Sequence, residues 1–321
     1  MLQLDIREVI QQPQSVNKLA HMPTFLLIGA GKSGTTSIYN YLKQHPDVYM
    51  PRIKEPLFFA FEGQCVNFCG PGDAEINARA VTTLPRYQAL FQEGVGRTAL
   101  GEASVAYLYY PSAAERIHRL LPDAKLIVVL RCPADRAYAN YLHALRLGRE
   151  PLGSFADALD AEPARIAAGW SHFYHYAAKG WYYRQLSHWL KLFPREQILF
   201  NLYDDLEENP AQLMRRIFNF IGVDPNHPIS TEKKFNVSGQ PMGIRIRNFV
   251  QRGSPLTQIV LPKQMRTTLK NAVLKCSLRQ GYMPSAVRKE LMNNYAPDIF
   301  KLADLTERDL SGWFQQRRQQ Y

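Results

Sequence analysis

Cysteine, long apolar runs and acidic residues are all scarce in this 321-residue chain, and each scarcity removes a class of protein. The four cysteines stand at 65, 69, 132 and 276. So few exclude a dense disulfide framework, and Cys65 and Cys69 have no second close Cys or His pair to complete a metal site. Free thiols and a cytoplasmic location are expected. No apolar run approaches the roughly 18 residues of a membrane span. The opening Met1-Leu-Gln-Leu-Asp-Ile-Arg7 lacks a basic start followed by an apolar core, so no secretory signal is expected. Acidic residues number 28 against 39 basic ones, a net charge of +11 that favours a polyanionic partner. The basic residues are scattered rather than blocked, so nucleic acid is not the expected partner. Repeats, low-complexity tracts and composition shifts are absent too. Residues 1–321 therefore read as one domain, with 1–22 an N-terminal extension and 223–321 a mainly helical and loop C-terminal part.

Against these absences stands one informative stretch, Thr24-Phe-Leu-Leu-Ile-Gly-Ala-Gly-Lys-Ser-Gly-Thr-Thr-Ser37. An apolar strand runs into a glycine-rich turn holding Lys32, with Ser33, Thr35 and Thr36 beside it and a helix beyond. Such a turn aims backbone N–H groups and a helix N-terminus at one point, which suits phosphate. A nucleoside-triphosphatase loop would need glycine five positions before Gly31, where Leu26 stands. The later strand ends in Arg131, where such an enzyme delivers aspartate to magnesium. Gly29, Gly31 and Gly34 do fit a dinucleotide G-x-G-x-x-G. The acidic residue at the required distance, however, is Glu55, beyond Pro51 rather than at a strand end. A glycine-rich turn without a ligand is the bland alternative.

Hydrophobic patterning predicts strands at 24–29, 48–50, 98–102, 125–130 and 197–202. Helices are expected at 36–45, 84–91, 111–121, 133–148, from 155, 180–193 and 211–222, then as two pieces at 284–295 and 299–305. Residues 62–80 read as an irregular excursion. Strands alternating with helices predict an α/β fold whose mostly parallel central sheet is covered on both faces. Ligands in such sheets bind at the carboxyl ends of the strands, where Lys32, Glu102 and Arg131 fall.

Two loops together resemble the sulfotransferases that use 3'-phosphoadenosine 5'-phosphosulfate (PAPS). The nearest resemblance is to bacterial members and to the sulfotransferase domains of heparan sulfate biosynthesis. Gly31-Lys-Ser-Gly-Thr-Thr36 is similar to the family's 5'-phosphosulfate loop, and Leu130-Arg-Cys-Pro-Ala-Asp-Arg-Ala-Tyr-Ala-Asn-Tyr141 to its 3'-phosphate segment. His45-Pro-Asp47, Lys54-Glu-Pro-Leu-Phe-Phe59, Gly180-Trp-Tyr182, Tyr295-Ala-Pro-Asp298 and Asp309-Leu-Ser-Gly-Trp313 add matches in the family's order. The resemblance implies a P-loop-like three-layer fold and PAPS as sulfate donor. Gly31, Lys32, Ser33, Gly34, Thr35, Thr36 and Arg131 would bind it. The family's serine eight residues after the arginine is replaced by Ala139, which leaves Asn140 as the neighbouring donor.

The resemblance also implies Glu55 as base for the acceptor and Lys32 as the cation over the transferring group; a surface Lys–Glu pair is the plain alternative for Glu55. Cytosolic members use a histidine base, which makes His172 and His175 reserve candidates; aromatic packing is their plain reading. Where heparan-type enzymes carry lysine after the strand glutamate, this chain has Ala103, so one cation beside the acceptor is missing. Ser104 and Tyr107 are candidate acceptor-side donors; the loop Lys233–Pro241 is a candidate cover for the ligand or a plain exposed basic loop, and Arg279–Tyr282 is a candidate for the 3'-phosphate side. The acceptor is expected to be a hydroxyl or amine of a sugar, glycolipid or secondary metabolite. A nucleoside-triphosphate phosphotransferase and a non-catalytic polyanion binder are the competing readings. No metal is called for.

Overall fold

In this computed structural model the described residues are 21–232, 240–241, 278–279 and 283–315. The loop beginning at Lys233 and the segment 280–282 therefore lie outside them, as does nearly all of the 1–22 extension.

Five parallel strands form the sheet: β1 (Phe25–Gly29), β2 (Val48–Tyr49), β3 (Ala99–Ala103), β4 (Lys125–Leu130) and β5 (Ile198–Leu202), in the order β2-β3-β1-β4-β5. β1 is buried throughout, and β4 is buried from its second residue, which is why both read as continuous apolar runs. Their alternate side chains feed two cores. Phe25, Leu27, Ile127 and Val129 face α1 (Thr35–Leu42) and α11 (Pro210–Ile221). Leu26, Ile28, Leu126, Val128 and Leu130 face the other side. There they meet α2 (Phe58–Phe61), α5 (Pro111–Leu120), α6 (Pro133–Arg146), α9 (Tyr182–Trp189) and α12 (Ser285–Thr306). The fold is α/β, with a parallel sheet flanked by helices on both faces.

Shorter helices fill the connections: α3 (Ala74–Arg79), α4 (Leu84–Ala89), α7 (Phe155–Asp160), α8 (Glu162–Ala167) and α10 (Tyr203–Glu208). The expected irregular excursion therefore contains one helix. A two-residue antiparallel pair, β6 (Gln240–Pro241) with β7 (Leu278–Arg279), stands apart from the main sheet.

The C-terminal helix departs from expectation more instructively. α12 runs unbroken through Pro297, where two helices were predicted. Proline removes one backbone donor and disfavours a helix interior by about 3 kcal/mol. Packing outweighs that cost here. Tyr295, Ile299 and Leu302 are buried on either side of the proline, and the Asp298 carboxylate accepts from Tyr183 N and Arg184 N at 2.9 and 3.3 Å. Those donors are orphans of the first turn of α9, so one aspartate ties the two helices together.

Register places the site. β1 pairs with β3 so that Leu26 lies opposite Glu102 and Leu27 opposite Ala103. β4 pairs with β5 from Leu126–Ile198 to Leu130–Leu202. The carboxyl ends of β1, β3 and β4 thus release Lys32, Ser104 and Arg131 on one edge of the sheet.

Candidate active site

The turn between β1 and α1 is built for close approach of backbone to a ligand. Lys32 and Gly34 both take left-handed backbone, at φ 70° and 79°. Gly34 is the N-cap of α1 and supplies no side-chain cap, which leaves the helix terminus to other acceptors. A Cβ on Gly34 would lie 2.2 Å from Leu206 Cδ2, so glycine is required by space as well as by φ. Ser33 is fully buried, and its Oγ has no hydrogen-bond partner among the described residues. A buried hydroxyl left unpaired is costly, and an anion oxygen in the turn would satisfy it. Burial lowers Lys32 to about 7, with Arg146, Arg131 and Lys54 adding repulsion in that order. Thr35 is buried and Thr36 partly so.

Arg131 leaves β4 and turns back to this loop. Its guanidinium lies 4.6 Å from the centre of the Tyr203 ring, and Nη1 donates to the Lys32 carbonyl at 3.3 Å. The two loops that the sequence placed 99 positions apart are therefore in contact. Asn140 lies on α6, one residue past Ala139. Its Nδ2 donates to Phe173 O at 2.7 Å and its Oδ1 accepts from Lys179 Nζ at 3.3 Å. Both ends of the amide are taken up inside the protein. Consecutive helical residues point about 100° apart, so Asn140 does not share the direction of Ala139, which is fully buried.

Glu55 sits at the mouth of β3. Glu55 and Leu57 are left-handed, at φ 60° and 61°, on either side of Pro56. Such backbone in non-glycine residues persists only where its surroundings hold it. Here Glu55 N donates to Ala103 O at 3.0 Å, and Leu57 N to Ser104 Oγ at 3.1 Å. Phe59 N donates to the Tyr107 hydroxyl at 3.3 Å. Ser104 and Tyr107, read from sequence as acceptor-side donors, thus buttress the Glu55 segment from behind. The carboxylate itself is pinned at both oxygens, Oε1 by Lys54 Nζ at 2.8 Å and Oε2 by Val105 N at 2.9 Å. Its side chain remains 17 % exposed, with one donor on each oxygen and lone pairs left over.

Glu102, directly below, is 1 % exposed and accepts from the Tyr87 hydroxyl at 3.1 Å. Burial raises it to about 7 and Glu55 repels it further, against the lowering effect of hydrogen bonds from Ser104, Tyr107 and Tyr87.

Both reserve histidines are engaged by neighbours. His175 Nε2 stands 3.2 Å from Trp170 O, which can only accept; that nitrogen therefore carries the proton. Nδ1 then receives the Tyr109 hydroxyl at 3.0 Å. Burial, then Lys179, lowers His175 to about 4. His172 Nδ1 lies 3.3 Å from the Tyr110 hydroxyl, and burial followed by Lys179 pushes the ring well below the usual histidine range. Both are neutral at pH 7.

Sequence reasoning missed two cations and a histidine. Lys179 precedes α9, and Arg146 lies in the last turn of α6 within electrostatic reach of Lys32. Arg146 Nη2 donates to His143 Nδ1 at 2.8 Å. Burial, then Lys32 and Arg146, lower His143 to about 2. The available signal was the i, i+3 spacing of His143 and Arg146 on the helix that follows Arg131. Among the described residues, no cluster of His, Cys, Asp and Glu could hold a metal ion. No helix there is long and apolar enough to cross a membrane. Cys65, Cys69 and Cys132 are free thiols.

A sulfotransferase-domain model matches residues 22–238, which include β1 to β5 together with Lys32, Glu55, Arg131 and Lys179. The chain belongs to the sulfotransferase family. Its relatives include human bifunctional heparan sulfate N-deacetylase/N-sulfotransferase 3, 30 % identical over 220 residues, or 67 % of this chain and 24 % of that protein. Human heparan sulfate glucosamine 3-O-sulfotransferase 6 is 31 % identical over 215 residues, or 66 % of this chain and 55 % of that one. The chain thus spans between a quarter and just over half the length of these relatives. A sulfotransferase from Alicyclobacillus acidocaldarius superposes with a TM-score of 0.73 at 33 % identity, covering 92 % of this chain and 99 % of that one. This sulfotransferase is accordingly related in sequence to heparan sulfate enzymes and in structure to a bacterial member.

Proposed function

We propose that this sulfotransferase draws its sulfuryl group from PAPS and delivers it to a hydroxyl or amine of a sugar, glycolipid or secondary metabolite, with Glu55 as base. The observation that carries the reading is the meeting of Lys32, Arg131 and Glu55 at the carboxyl edge of one sheet. The P-loop-like turn fits the donor: Ser33 Oγ is buried without a partner, Gly34 leaves the helix terminus uncapped, and Lys32 is an ammonium crowded by other cations.

PAPS, when bound, supplies an activated sulfuryl group and a bisphosphate leaving group. Gly31, Ser33, Gly34, Thr35 and Thr36 would hold the 5' end with Lys32, and Arg131 the 3'-phosphate by its planar fork. Glu55 would take the proton of the attacking hydroxyl as the acceptor oxygen bonds sulfur and the bond from sulfur to the phosphate oxygen breaks. Lys32 would neutralise the charge that develops on that departing oxygen. Anchoring by Lys54 and Val105 N fixes the direction in which Glu55 presents its remaining lone pairs.

The test is transfer of radiolabelled sulfate from PAPS across a panel of hydroxylated and amino acceptors. Glu55→Gln keeps the shape and removes proton acceptance. Its kcat should fall about 10²–10⁴-fold while affinity for 3'-phosphoadenosine 5'-phosphate (PAP) stays close to wild type. Near-normal kcat in this variant would remove Glu55 from the role and turn attention to His143, His172 and His175.

A further inference from the structure

We propose that Lys179 is a second ammonium of the sulfuryl-transfer centre, contacting the oxygens of the transferring group. This rests on the reading of the site given above.

The backbone at Lys179 is held with unusual firmness for a connecting turn. The Glu162 carboxylate accepts from Ala177 N at 2.6 Å and Ala178 N at 2.8 Å. On the other side the Tyr295 hydroxyl of α12 donates to Ala177 O at 2.8 Å. Gly180 lies flat against the same ring, where a Cβ would stand 2.6 Å from it. The clamped turn sends the lysine side chain to Asn140, whose Oδ1 accepts at 3.3 Å and whose own amide is fixed on Phe173 O. A neutral oxygen is thus the ammonium's hydrogen-bond partner, and no carboxylate among the described residues lies within ion-pair distance.

The electrostatic surroundings say what completes it. Lys32 approaches from the β1–α1 turn, Glu55 from the segment before α2, and Arg136 and His143 from α6. Glu162 faces it from α8, and the neutral His172 and His175 from the aromatic turn before it. Burial and then Arg136 disfavour the charge on Lys179, and Glu162 and Glu55 together support it. Counting Lys179 itself, three cations here face two carboxylates, a balance that an anionic guest restores. Lys179 feels both Glu55 and Lys32, the two groups that the chemistry sets on either side of sulfur. Its placement is therefore beside the sulfuryl oxygens rather than the adenosine phosphates.

PAP and PAPS differ by the sulfuryl group alone, so their relative affinity isolates this contact. Calorimetric titration of both into wild type and Lys179→Met should show PAP affinity changed less than threefold. PAPS affinity should fall about 10–100-fold, the range for one charge-assisted hydrogen bond. Lys179→Arg should retain most of the preference, and Lys32→Met should weaken both ligands. Should Lys179→Met lose its thermal transition, Lys179→Gln carries the same comparison with a polar side chain. A folded variant that keeps the wild-type ratio of PAPS to PAP affinity overturns the proposal alone. Failure of wild type to bind PAP overturns the donor assignment, and this proposal with it.

Discussion

At the residue scale, the site shows which properties belong to a side chain and which to its surroundings. Glu102 is the clearest case. Burial raises it from an ordinary 4.5 to about 7, so the folded state holds its proton over a range where the unfolded chain has released it. Stability from this group is complete below pH 4.5 and is lost as pH rises through about 7. A difference of this size corresponds to up to about 3 kcal/mol. Glu102→Gln removes the titration, so its Tm relative to wild type should climb between about pH 4 and pH 8. Thermal melts across that range check it; parallel curves would show that Glu102 does not titrate there. That Lys32, Glu55 and Arg131 stand on loops at the strand ends could be read from sequence because loop chemistry is local. The left-handed backbone of Lys32, Glu55 and Leu57 could not, since no glycine marks those positions. Sequence likewise showed Asn140 as a donor beside the missing serine, but not that its amide reaches Phe173 and Lys179.

The elements divide along the same line. β4 was legible to the residue because a continuously apolar run has one physical use in an α/β sheet. α12 was not, because Pro297 is tolerated only through contacts distant in sequence. Lys179 escaped notice on the same ground: its turn is shaped by Glu162 and Tyr295, 15 and 118 positions away from the atoms they bind. The aromatic turn beside it depends on a buried network that sequence did not reveal. Glu150 accepts from Arg165 at 2.7 and 2.8 Å, from the Tyr176 hydroxyl at 2.6 Å and from Leu152 N at 2.8 Å. Glu150→Ala strands a buried guanidinium and should cost about 3–5 kcal/mol in urea unfolding. Glu75, 76 % exposed and paired to Arg149, should lose less than about 1 kcal/mol on the same change. Equal losses at the two positions would refute a structural role for the Glu150 network.

For the whole molecule, the sheet order β2-β3-β1-β4-β5 brings three strand ends to one edge, and the net charge of +11 finds a local expression there. Composition pointed to a polyanion without saying which; the convergence of Lys32 and Arg131 gives that charge one place to act, as the proposed donor requires. The most direct test is calorimetric titration of PAP and ATP into the purified chain near pH 7, with Lys32→Ala alongside. PAP should bind at least tenfold more tightly than ATP, and the substitution should weaken it by about 10-fold or more. Because Lys32 is held to about 7 and an anion favours its charged form, PAP affinity should decline as pH rises above 7, with proton uptake on binding. A preference for ATP, or no PAP binding at any pH in that range, would contradict the account.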